Sequence, residues 1–219
     1  MTVTFGISET GDACFCSKGF QEIEMPLIEC SSSVLVVVDV QDNFLGKLAF
    51  HERLPLVSRI GWLMQVATIL DIPVIATVED ASDQIGMRSN LKALLPQGQN
   101  IYNKLVFRLY GQDDVREALE QLDKRDVVLV GLETDVCIAH SAIELLDAGY
   151  RVCVIDDATG SPWPHHQAGL RRMEQAGVTI TNTKGIYYEW IRDVPSAIDM
   201  KTKIGVVDFE VGSVPGLTL

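Results

Sequence analysis

Two apolar runs, Val34–Val38 and Val127–Val130, each lead straight into polar residues whose types can do chemistry. The first opens into Asp39-Val40-Gln41-Asp42-Asn43-Phe44, and the second into Gly131-Leu132-Glu133-Thr134-Asp135-Val136-Cys137-Ile138. Between them, Lys104 follows Tyr102 and Asn103 and precedes Leu105, Val106 and Phe107. A carboxylate, a cation and a thiol are the parts of a nucleophilic site: the sulfur attacks, the carboxylate moves protons and the ammonium holds the charges in place. In an open α/β sheet, ligands sit beyond the carboxyl ends of the strands, so residues at two such ends are aimed at one crevice.

Each member also has a plainer reading. A lone Cys is commonly a small buried core residue; for Cys137 the polar Glu133-Thr134-Asp135 leading into it favours catalysis. Its place at a helix start predicts a thiol pKa below the free value of about 8.5, with backbone N–H groups nearby for an oxyanion. Asp39 ends a wholly apolar strand, where an ionised group is too costly to bury unpaired, so a partner must be close; a cap or a structural salt bridge would serve equally. Lysines are usually solvated, yet Lys104 sits among apolar neighbours. The three together say more than any one.

The elements that must position them follow from periodicity. Strands are predicted at Val34–Val38, Ile72–Val78, Asn100–Val106, Asp126–Leu132, Tyr150–Ile155 and Val178–Thr181. Helical spacing predicts Pro55–Leu70, Leu91–Leu95, Asp113–Leu122, Asp135–Ala148, His165–Ala176 and a final helix over Ile186–Arg192. The stretch Asp80–Arg88 reads as a loop. Strand and helix alternate throughout, which predicts a three-layer α-β-α, Rossmann-like fold around a six-stranded, mainly parallel sheet. Residues 31–198 form this domain, 1–30 an N-terminal arm and 199–219 a C-terminal extension, its Gly- and Pro-bearing end from Ile204 onward packing as an extended arm.

Composition limits the function classes. Hydrophobic residues make up 47% of the 219, and a mean hydropathy of +0.17 fits a parallel sheet buried on both faces. The net charge of −12 argues against nucleic acid or an anionic membrane as partner. No apolar run approaches the roughly 20 residues that cross a bilayer, and the start lacks the pattern of a signal peptide, so the cytoplasm is the expected compartment. Five cysteines in such a chain do not make a disulfide framework. Cys153 alternates within a strand and reads as core; Cys14, Cys16 and Cys30 match no zinc spacing.

Competing motifs are missing. There is no G-x-S-x-G nucleophile elbow, no G-x-G-x-x-G or P-loop, and no C-x-x-C. The adjacent pair His165-His166 follows Ser161-Pro162-Trp163-Pro164 and reads as capping or surface residues rather than ligands.

The segments Asp39-Val40-Gln41-Asp42-Asn43-Phe44, Asn103-Lys104, Gly131 to Cys137 and Val154-Ile155-Asp156-Asp157-Ala158 resemble the isochorismatase-like cysteine hydrolases, in that family's order, over roughly Ser33 to Asp193. The G-x-x-T-D-x-C stretch is the specific part. The resemblance implies that Cys137 is the nucleophile, Asp39 the acid/base and Lys104 the group holding both. It implies a non-proline cis peptide at Leu132–Glu133 that turns the Glu133 and Cys137 amides toward one oxyanion, with Gln41 and Phe44 lining the substrate end. Arg108, Tyr110 and Trp163 are further candidates for the pocket, Arg108 as partner of a substrate carboxylate. A thiol nucleophile favours hydrolysis of a C–N bond in a small amide, carbamoyl or ureido compound over vinyl-ether hydrolysis of the isochorismatase type. Nicotinamidases of the family bind a metal through an Asp and several His after the second strand. Here that stretch is Thr77-Val78-Glu79-Asp80-Ala81-Ser82-Asp83-Gln84, so no metal or other cofactor is expected. The partners expected are a small-molecule substrate and further copies of the chain, as dimer or tetramer. The alternatives from other classes are a catalytically idle scaffold and a redox-sensing thiol protein.

Overall fold

A computed structural model describes residues 27–83 and 85–204 of the chain. Six strands form one sheet: β1 (Ser33–Val38), β2 (Val74–Glu79), β3 (Ile101–Lys104), β4 (Asp126–Leu132), β5 (Arg151–Gly160) and β6 (Thr179–Thr181). Their order is β3-β2-β1-β4-β5-β6 and every pairing is parallel. The chain builds outward from β1 to one edge, returns to β4 and builds to the other. The point where direction reverses, between β1 and β4, is where such sheets open a crevice.

Eight α-helices accompany the sheet among the described residues: α1 (Asp42–Leu45), α2 (Phe50–Ile69), α3 (Ser89–Lys92), α4 (Asp113–Gln121), α5 (Ala139–Asp147), α6 (His165–Gln175), α7 (Thr183–Ile191) and α8 (Val194–Ile204). All six residues of β1 and all seven of β4 are buried. Alternate side chains serve opposite faces, as the two-residue strand period requires. Leu35 and Val37 pack with Leu56, Ile60 and Leu63 of α2 and with Ile186 and Trp190 of α7. Val34 and Val36 pack with Val115 of α4, Ala142 of α5 and Met173 of α6. These two cores make the three layers, as the alternation of elements predicts.

Boundaries differ where local rules compete. The helix expected from Pro55 begins at Phe50, where Glu52 accepts from the Ala49 N–H at 3.0 Å, and Pro55 lies inside it. The expected helix Asp135–Ala148 is split: Thr134–Ile138 is a π-turn that precedes α5. The predicted final helix is followed by another, α8, which runs through the expected boundary at 198/199. At the other end, Ile28 is buried and its N–H donates to Glu189 at 2.7 Å, so the last residues of the expected N-terminal arm lie against α7. Cys14, Cys16 and the segment 205–219 fall outside the described residues.

Candidate active site

Register brings the site together. Val38 pairs with Gly131 across β1 and β4, and Glu79 pairs with Lys104 across β2 and β3, so Glu79, Lys104, Asp39 after β1 and the segment leading to Cys137 after β4 share the carboxyl end of the sheet. The approach of β1 to β4 needs a glycine. A Cβ on Gly131, at φ +121°, would stand 2.0 Å from the Val38 carbonyl oxygen.

Asp39 follows directly, in the left-handed region at φ 49°, a conformation Asp tolerates better than most residues. Its N–H donates to the Thr77 carbonyl at 3.1 Å, and Thr77 Oγ1 donates to Asp39 Oδ1 at 2.8 Å. Oδ2 faces Lys104 Nζ at 2.6 Å, with both side chains shut off from water. This is the partner that burial of Asp39 demands. Burial pushes the Asp39 carboxyl above its ordinary range, although the Lys104 charge and two hydrogen bonds pull the other way. For Lys104, burial lowers the pKa, but Asp39, Cys137 and Glu79 outweigh it and hold the amine protonated.

Cys137 lies in the π-turn, where Ile138 N–H donates to the Glu133 carbonyl at 3.1 Å. The Leu132–Glu133 peptide before it is cis. The turn is pinned from several sides. Ser161 Oγ donates to Asp135 at 2.6 Å, and Ser141 Oγ donates to the Cys137 carbonyl at 2.5 Å. Gly169 of α6 packs so closely that a Cβ there would come within 2.8 Å of Asp135 Cα. Sγ sits 3.5 Å from Lys104 Nζ and 3.1 Å from Glu79 Oε2.

The thiol pKa runs opposite to the expectation from a helix start. Burial and the Asp39 charge raise it, the Lys104 ammonium lowers it less, and Glu79 raises it further.

Glu79 is the member that sequence reading missed. Its Oε2 is also 3.2 Å from Lys104 Nζ. The available signal was the strand period: Thr77, which contacts Asp39, and Glu79 are two residues apart on β2 and share a face. One oxygen of each carboxylate and Sγ lie within 4.8 Å of one another, a donor set that a metal ion can use. The Lys104 ammonium already stands among these three groups, so a protein cation answers their charge.

The other candidates are placed as follows. Gln41 is fully buried; its Nε2 donates to the Glu79 and Ile85 carbonyls at 3.0 and 2.7 Å, and its Oε1 accepts from the Glu79 N–H at 2.7 Å. It thus holds the backbone of Glu79. Phe44 is buried in the core beside Leu45, with Lys47 Nζ 4.6 Å over its ring. Glu133 carries an ion pair to the same Lys47 at 3.0 Å. Arg108 is paired with Glu144 at 2.8 Å and Tyr110 donates to Glu120 at 2.7 Å, because the chain after β3 folds back over α4 and α5. Both side chains thus have partners within the protein. Trp163 is 84% exposed and borders a neighbouring cavity of about 400 Å³ with Asp156, Asp157 and His166. His166 corrects its reading as a capping or surface residue: it is half-buried and shares a hydrogen bond with Thr134 Oγ1 at 2.8 Å, and burial lowers its pKa. Cys153 is a buried core residue, as its strand position predicts.

A thiol, an ammonium and two carboxylates thus converge at the carboxyl ends of the strands of a parallel α/β sheet, and comparison with known proteins identifies the family. The Isochorismatase domain model matches residues 33–185, and the chain belongs to the isochorismatase family of hydrolases. It is 30% identical over 170 residues to isochorismatase family protein 2A of Dictyostelium discoideum, covering 74% of this chain and 84% of that one. YcaC of Pseudomonas aeruginosa, solved with hexane-2,5-diol and covalent acrylamide, shares the fold at a TM-score of 0.75 and 23% identity, over 82% of this chain and 90% of that one. The YcaC gene product of Escherichia coli, an octameric hydrolase of unknown specificity, shares it at a TM-score of 0.75 and 21% identity, over 82% and 89%.

Proposed function

We propose that the chain is a cysteine-dependent hydrolase of a small amide, carbamoyl or ureido compound, cleaving a C–N bond. The observation that carries this is the position of the Lys104 ammonium, 2.6 Å from Asp39 and 3.5 Å from Cys137 Sγ. In the reaction, Asp39 takes the thiol proton while Sγ bonds to the carbonyl carbon, and Lys104 offsets the negative charge left on sulfur. Asp39 Oδ2 accepts no hydrogen bond in addition to its ion pair, so it retains a lone pair for that proton. The carbonyl oxygen gains charge and rests on the Glu133 and Cys137 amides. The C–N bond breaks as Asp39 protonates the departing nitrogen. Water then adds to the thioester with Asp39 as base, releasing the acid or carbamate and restoring the thiol.

A homo-oligomer belongs to the same proposal. Leu105, Val106 and Phe107, directly after Lys104, are 73%, 37% and 55% exposed, an apolar surface that a second copy would cover. The octameric state of the Escherichia coli relative supports assembly without fixing its size here.

Ammonia release from a panel of small amides and ureido compounds, by wild type and Cys137→Ala, tests the reading. Release that disappears in the variant is expected. Release that survives it, or none from any compound by wild type, overturns it.

A further inference from the structure

The proton of the resting thiol points to a fourth working group. Cys137 Sγ donates to Glu79 Oε2 at 3.1 Å, while the same oxygen takes Lys104 Nζ at 3.2 Å. Glu79 differs from its neighbours in exposure: its side chain is 21% open to water, whereas Asp39 and Lys104 are at 0% and Cys137 at 3%. A molecule entering from solvent therefore meets this carboxylate before it meets the sulfur. The placement is built, since Gln41 brackets the Glu79 backbone with hydrogen bonds at 2.7 and 3.0 Å, and Asp80 N–H donates to the Lys104 carbonyl at 3.1 Å.

We propose that Glu79 is a catalytic carboxylate with two partners in turn, the Cys137 thiol at rest and an N–H of the substrate when one is bound. This rests on Cys137 being the nucleophile proposed above. At rest, the S–H···Oε2 hydrogen bond keeps the proton on sulfur and the thiol unreactive. A substrate bearing an N–H donor on the scissile nitrogen takes over Oε2. The thiol then turns its hydrogen to Asp39, which accepts the proton as the sulfur–carbon bond forms. No proton is gained or lost by the site in this exchange. The charges agree: two carboxylates against one ammonium leave the site one negative charge, which favours neutral or cationic N–H donors over a substrate anionic at the scissile end.

Alkylation of Cys137 by iodoacetamide, followed by mass spectrometry of its peptide in the full chain, tests this without a substrate. Glu79→Gln removes the negative charge, so the thiol pKa falls and alkylation at neutral pH speeds up. Each unit of fall raises the thiolate fraction about tenfold, and the lower intrinsic nucleophilicity trims the observed gain to about threefold. Glu79→Asp keeps the charge on a shorter arm and lies between the two. A folded Glu79→Gln protein that alkylates no faster than wild type overturns the proposal. A second measurement needs no Glu79 variant: the infrared S–H stretch of wild type, assigned by its loss in Cys137→Ala, is expected at lower frequency than that of an unbonded thiol. An unshifted band overturns the proposal even where Glu79→Gln does not fold. Hydrolysis lost in Cys137→Ala with alkylation unmoved by Glu79→Gln sinks this role alone; the reverse pair of results sinks the hydrolase reading and leaves the hydrogen bond.

Discussion

Lys104 Nζ and Asp39 Oδ2 meet at 2.6 Å in a place that water does not reach, with neither side chain exposed. Such a pair contributes little net stability when intact, but removing one partner strands a buried charge. Lys104→Met is expected to destabilise the fold by about 3 kcal/mol in urea denaturation. The double variant Asp39→Asn/Lys104→Met should lose less than the sum of the single changes, because no charge is then left alone. Strict additivity would show that the two residues do not act as a pair.

The pH profile follows from the same burial. Asp39 must be ionised in the free enzyme to accept the thiol proton, and its carboxyl is held above the ordinary carboxylate range. Activity is therefore present above that raised pKa and lost as pH falls through it. The acid limb of kcat/KM should lie above the unperturbed value of about 3.9 for Asp. A limb at or below that value would assign the proton to another group.

Gly131 has a structural prediction of its own. At φ +121°, any Cβ here would lie 2.0 Å from the Val38 carbonyl oxygen, which leaves no room for a side chain. Gly131→Ala forces β1 and β4 apart at the residue before Asp39, so it is expected to cost at least about 3 kcal/mol. Activity should fall with stability, since Asp39 moves with the strand. A thermal melt matching wild type would contradict the packing described.

Acid stability tests the opposite end of β4. Burial pushes the Asp126 carboxyl up, but hydrogen bonds from Arg151, Ser32 and the Glu29 N–H outweigh it and hold the carboxyl below its usual range. That contribution is complete above the unfolded pKa of about 3.9 and is lost as pH falls through the lower folded value. Arg151 Nη2 meets Asp126 Oδ2 at 2.5 Å. Arg151→Met should therefore lower stability at neutral pH and flatten its dependence on pH below about 4. An unchanged acid-unfolding curve would assign the dependence elsewhere.

The fold was legible because β1 and β4 are unbroken apolar runs buried on both faces, each ending in polar residues. Asp39 stood out for the same reason, as a charge where the pattern allows none. What the sequence hid depends on contacts between distant segments. Glu79 looks like the first residue of a loop until strand register sets it beside Lys104. Gln41 has the type of a substrate ligand, yet its amide is consumed by the backbone of that same residue. Arg108 and Tyr110 lie near Lys104 in sequence, but the turn after β3 carries them to Glu144 and Glu120. The π-turn was also invisible, since its residues suit an α-helix equally; the wider i→i−5 bond that defines it depends on how the chain leaves β4. The direction of the Cys137 pKa escapes the sequence because helix polarity is local, whereas the burial of the thiol and its approach to Asp39 and Glu79 depend on how distant segments pack.

The central claim is that Cys137 carries the acyl group. Mass spectrometry of the wild-type protein, acid-quenched during turnover of an amide that it hydrolyses, addresses it most directly, because acid stops the water step and leaves a thioester intact. The expected result is a mass increase equal to the acyl or carbamoyl group, mapped to the Cys137 peptide and discharged by hydroxylamine. Steady turnover by wild type with the Cys137 peptide unmodified at every quench time would contradict covalent catalysis at this residue.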